Sequence, residues 1–135
     1  MPTPHSYSYA IVRLVPRVER QEFINIGVIL YCHRERYLKA VIEPDLARIA
    51  ALWPDFDFAE LECDLVAFTA AAAGTGDTPI SQLPPSDRFN WLAAVRSTVL
   101  QVSPVHTGLC ADLDDCLQTL LQQQVRPRPA PPSVA

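Results

Sequence analysis

A chain of 135 residues that is 49% hydrophobic and 19% charged has the size and make-up of one globular domain, able to bury about two thirds of its unfolded surface without disulfides or metals. Its net charge of −4 argues against non-specific nucleic-acid binding, which depends on many Lys and Arg neutralising phosphates. No apolar run approaches the ~20 residues that span a bilayer, and the opening Met1-Pro2-Thr3-Pro4-His5-Ser6 lacks the basic-then-apolar pattern of a signal peptide, so the expected location is the cytoplasm.

Residues 9–15 are rich in β-formers and read as a strand that Pro16 stops. After a charged loop, residues 23–32 form the clearest strand. Period two puts Ile24, Ile26, Val28 and Leu30 on one face and Asn25, Gly27, Ile29 and Tyr31 on the other. The turn His33-Arg34-Glu35-Arg36 leads to a third strand over 37–42 with Leu38, Ala40 and Ile42 inward, completing an antiparallel meander.

Helices follow. Pro44 suits a first helical position before residues 45–53, and Pro54 ends that segment. Asp57 with Glu60 makes a capping-box-like start, after which Phe58, Leu61, Leu65, Phe68 and Ala72 recur as one amphipathic stripe up to a Gly74 stop. Ser86 or Asp87 caps a short helix through Leu92. Residues 98–103 read as a fourth strand, and a loop runs from there to about Cys110. Asp112 then caps a last helix whose Leu113, Cys116, Leu117, Leu120 and Leu121 face inward. Residues 126–135, with Pro127, Pro129, Pro131 and Pro132, form a disordered or polyproline-like tail. The expectation is an α+β domain over residues 1–125: an antiparallel sheet of about four strands, the meander plus one later strand, with helices packed on one face.

Standard catalytic signatures are missing: no phosphate loop, dinucleotide fingerprint, zinc-protease helix or nucleophile elbow. Cys32, Cys63, Cys110 and Cys116 show no metal-ligand spacing and read as buried reduced thiols. His5, His33 and His106 are dispersed, so neither a metal site nor a cofactor is expected.

What stands out is the polar ribbon over residues 96–108. On a strand, Arg96, Thr98, Leu100 and Val102 share one face and Ser97, Val99, Gln101 and Ser103 the other, until Pro104 ends the ladder. His106 then lies at a strand end, with the Thr107 hydroxyl and the Gly108 backbone beside it. Arg88 and Arg96 flank the stretch and together suit a phosphate or carboxylate. His106 is the candidate catalytic acid/base, although no carboxylate partner is identifiable for it. The purely structural alternative has the His-Thr-Gly turn capping the last helix and Arg96 pairing with an acidic residue. A second candidate is the first hairpin loop, where Arg13, Glu19, Glu22 and Asn25 bracket residues 16–21. Glu19, Arg20 and Glu22 read more readily as solvated charges. A buried Asn needs partners, and an Arg from the fourth strand would join the two patches.

Three blocks carry a family likeness: Tyr7-Ser8-Tyr9-Ala10-Ile11-Val12-Arg13-Leu14-Val15-Pro16, then Glu22-Phe23-Ile24-Asn25-Ile26-Gly27-Val28-Ile29-Leu30, then Arg96-Ser97-Thr98 through Ser103-Pro104-Val105-His106-Thr107-Gly108. In this order they resemble the bacterial DUF3037 family, from about Tyr7 to the last helix. The resemblance transfers no catalytic residue. Genes of that family often lie beside one for a HipA-like kinase, which implies a partner or regulator role. The expected function is therefore a cytoplasmic, non-enzymatic binding or regulatory protein working with a HipA-like kinase. Its expected binding residues are Arg13, Asn25, Arg88, Arg96, Ser97, His106 and Thr107, with a small anion as a further ligand. The alternative is a small enzyme acting on a phosphorylated or nucleotide substrate, Arg88 and Arg96 holding the anion and His106 moving the proton. A DNA-binding repressor is weakest, because the folded part is acidic and has no recognition helix.

Overall fold

The computed structural model describes residues 3–94 and 98–128. Its organising element is a long strand, β1 (His5–Leu14), which pairs antiparallel with β2 (Ile24–Cys32) along one side. β3 (Tyr37–Ile42) extends the sheet beyond β2, as the meander predicts. On the other side β1 pairs with two short strands laid end to end, β4 (Leu100–Val102) and β5 (His106–Cys110). The sheet is open, antiparallel and five-stranded, in the order β3-β2-β1-β4 with β5 also on β1.

The split edge replaces the single fourth strand and following loop read from the sequence. Pro104 has no N–H to give a ladder, so pairing must break there. Ser103 repairs the break. Its N–H donates to the Ile11 carbonyl at 2.8 Å, its Oγ accepts from the Ile11 N–H at 2.8 Å, and that hydroxyl donates to the Pro104 carbonyl at 2.9 Å. One side chain supplies the missing rung, so β1 stays paired and the ladder resumes at His106, opposite Tyr9.

A bulge in β2 alters which residues share a face. Val12 lies opposite Gly27 but Arg13 lies opposite Asn25, leaving Ile26 as an extra residue. Ile24 and Ile26 therefore join Ile29 in the core on one side, while Val28, Leu30 and Cys32 pack on the other. Strict period two had put Ile24, Ile26, Val28 and Leu30 together. Gly27 sits tight against β3: a Cβ there would lie 2.5 Å from Ile42 Cδ1 and 2.6 Å from the Val41 carbonyl oxygen.

Three helices, α1 (Leu46–Leu52), α2 (Phe58–Ala73) and α3 (Pro85–Leu92), cover the front of the sheet. Asp45 and Asp57 cap the first two, accepting from the Arg48 and Ala59 N–H groups, and Gly74 ends α2 in the left-handed conformation that favours glycine. The third helix starts on Pro85 rather than behind a Ser or Asp cap. Ile49, Leu61, Phe68, Ala71, Phe89 and Leu92 bury against Ala10, Val12, Leu14, Ile24 and Ile29. The last helix, α4 (Leu113–Gln124), lies on the reverse face, its Leu113, Leu117, Leu120 and Leu121 set against Ile11, Val28 and Leu30. Helices pack on the sheet as expected, and α4 adds a cover on the reverse face. A β2 that is apolar on both faces requires it. Among the described residues no helix is long and apolar enough to cross a membrane.

Candidate functional site

Cross-strand partners share a face. Arg13 is opposite Asn25 on one side and opposite Gln101 on the other. The three form a polar row across β2, β1 and β4. Leu100 and Val102, the neighbours of Gln101, pack into the front core, so the row lies on the back, where the α4 helix ends. Asn25 Nδ2 donates to the Gln124 carbonyl at 2.9 Å, fastening that helix end to the sheet. Gln101 Nε2 donates to the Thr98 carbonyl at 2.8 Å. The Arg13 guanidinium lies 4.2 Å over the ring of Phe23, a side chain 47% exposed.

Two atoms of the row are left over. Arg13 Nε and Asn25 Oδ1 are buried and, among the described residues, have no hydrogen-bond partner, and such a group costs about 1–3 kcal/mol. One is a donor and the other an acceptor, on directly opposed residues. Answering the two takes an acceptor for the Arg13 N–H and a donor for the Asn25 oxygen, functions that an amide combines. A phosphomonoester dianion, which has no donor hydrogen, serves only the arginine.

The other predicted residues are distributed around this row. His106 is exposed, opposite Tyr9 and on its face, with ring centroids 5.4 Å apart. Tyr9 and Arg13 are four residues apart on β1, which is about 13 Å along a strand. One phosphate cannot touch both. Thr107, the next residue, points to the front face and is exposed. Arg88 is engaged elsewhere. Its Nη1 donates to the Ala71 and Ala72 carbonyls at 3.2 and 2.6 Å and its Nε to Leu83 at 3.0 Å, so it closes the C-terminal end of α2 on the front. Arg96 and Ser97 lie outside the described residues. Asn25 meets the end of α4; Arg96, the arginine expected to join it from the fourth strand, lies outside the described residues. Arg20–Glu22 and Arg17–Glu19 are exposed ion pairs of the first hairpin, matching the solvated-charge reading. Arg126, at the start of the Pro-rich segment, is tied to Glu43 by two bonds of 2.8 and 2.9 Å.

Sequence reading missed Phe23 and Gln101 as members of the row, since their relevance depends on strand register. It also missed a second polar group under α4. The Tyr7 hydroxyl is pushed up to about 12 by its hydrogen bond with Cys116 and by burial. The Cys110 thiol is raised to about 11 by burial and the neighbouring Cys116. These groups line a groove of about 380 Å³ with Asp115, Thr119 and Gln123. A Cys110 thiol so raised stays protonated at neutral pH and is a weak nucleophile. Cys32 is buried as expected, whereas Cys63 is exposed on α2. Among the described residues no group of three or more His, Cys, Asp or Glu could hold a metal.

No curated protein and no solved structure was found to match the chain. The family model described as a protein of unknown function, DUF3037, matches residues 9–125. That span takes in all five strands from Tyr9 onward, the four helices and the whole Asn25–Arg13–Gln101 row. The chain belongs to the DUF3037 family.

Proposed function

We propose that this chain is a cytoplasmic binding or regulatory protein that works with a HipA-like kinase and engages it through the Asn25–Arg13–Gln101 row. The observation that carries the reading is the unpartnered pair, Arg13 Nε and Asn25 Oδ1, beside an exposed Phe23 under a guanidinium. A protein partner has the matching groups: an Asn, Gln or main-chain amide for the pair, and a carboxylate for the guanidinium. Arg is a frequent interface hot spot, and aromatic side chains, Phe among them, are enriched at interfaces. The neighbourhood of DUF3037 genes and HipA-like kinase genes supplies the partner class. A small anion binding at Arg13 is the finer form of the same reading, in which it occupies the place of the partner's carboxylate.

The test is co-expression with the HipA-like kinase encoded nearby. The two are expected to co-purify, and Arg13→Ala and Asn25→Ala each to weaken the complex at least about tenfold, the effect of losing a charged or buried hydrogen bond. Separate elution with unchanged kinase activity on mixing would sink the proposal.

A further inference from the structure

The geometry points to a self-association surface along β5, where a second copy of this chain adds its own β5 antiparallel to the first. This inference is independent of the kinase reading and rests on β5, outside the Asn25–Arg13–Gln101 row. β5 pairs with β1 alone, so among the described residues its outer rim of N–H and C=O groups is unpaired. Soluble proteins usually protect such rims with charge, proline or a covering element. The opposite edge is protected in this way: β3 carries Lys39 at its middle, with Arg36 and Glu43 at its ends. From Val105 to Ala111 there is no charged residue and no proline. Leu109 is 69% exposed and Val105 45% exposed, and neither belongs to a core cluster.

The chemistry favours a second copy over a charged partner segment. A neutral rim attracts no charged strand, and two such rims meet without the repulsion expected between chains of net charge −4. β5 is also self-complementary about Gly108. Antiparallel pairing there sets glycine against glycine with no Cβ at the axis. It sets Thr107 against the Leu109 of the second copy and Val105 against its Ala111. The two Leu109 side chains become diagonal neighbours, within reach of each other on the front face, which is open at Leu109. The outcome is an isologous contact joining two sheets into one.

Five rungs bury less than the 1,200–2,000 Å² of a stable interface, so the expected Kd is on the order of 10 µM. Sedimentation equilibrium on the full chain over about 1–300 µM brackets that value and should show a monomer–dimer equilibrium. Leu109→Lys and Thr107→Lys should each raise Kd at least about tenfold. Leu52→Lys, at an exposed leucine on α1, should not. Hydrogen exchange at 106–110 should slow as concentration rises in the wild type and not in the two β5 variants, a readout that holds even if a variant loses stability. A wild type monomeric throughout that range, or a Leu109→Lys chain that dimerises equally well, would overturn the inference.

Discussion

The two faces of the sheet use similar residues for opposite ends. On the front, three helices press a continuous apolar cluster onto β1 and β2, and Arg88, drawn in there, spends donors on main-chain carbonyls. On the back, a single helix covers the middle of the sheet and stops, and Arg13 is left with an aromatic ring and an unsatisfied donor. A polar side chain whose donors are spent on the protein's own carbonyls holds the fold together. One left unanswered beside an exposed aromatic is available for recognition. Arg88 and Arg13 look alike in sequence and differ in nothing but where the chain places them.

The comparison can be broken first at the front core. Phe68→Ala should cost about 3–5 kcal/mol in chemical denaturation, the usual penalty for removing a buried aromatic. A loss under 1 kcal/mol would mean that the front is not the structural face. Arg88→Ala should follow at about 1.5–3 kcal/mol, as charged donors leave the carbonyls at the end of α2. Kinase binding should be unaffected, and a variant that keeps its stability but loses the partner would reverse the roles assigned to the two arginines. Arg13→Ala should change stability by less than about 1 kcal/mol, since an exposed stacking contact is lost together with an unsatisfied buried donor. Calorimetry beside the pull-down separates those effects.

The smallest effect concerns pH. The hydrogen bonds from Arg126 hold the Glu43 carboxyl below its ordinary value. A carboxylate whose folded value is lowered adds stability above its unfolded value, and that contribution disappears as pH falls through the folded one. Both groups are near 40% exposed, so the contribution is small and salt-sensitive. Urea midpoints of wild type and Glu43→Gln should differ slightly at pH 7 and converge as pH falls below the ordinary glutamate range. A gap that widens on acidification would refute the assignment.

Much of the architecture was readable along the chain. The meander, the Asp57 and Asp112 caps, the Gly74 stop and the inward stripe of the last helix are local matters of period, capping and φ, and each stands in the structure. What escaped the reading depends on contacts between distant residues. The bulge at Ile26 is a mismatch between two strands and leaves no mark in either alone. The rung supplied by Ser103 needs Ile11, 92 positions away. Arg13 and Asn25 were singled out by type, but neither Gln101 nor Phe23 was, because register and side-chain reach bring them there.

Sequence alone determined the α+β class, the three-stranded meander and the identity of most core residues, because burial of apolar side chains at fixed periods is a property of each segment. Tertiary structure decided the rest: that β1 is paired on both sides, that α4 takes the reverse face, and that Arg88 is consumed where Arg13 is left available. A hydrogen-bonding group is satisfied or orphaned only by what the folded chain brings within about 3 Å of it.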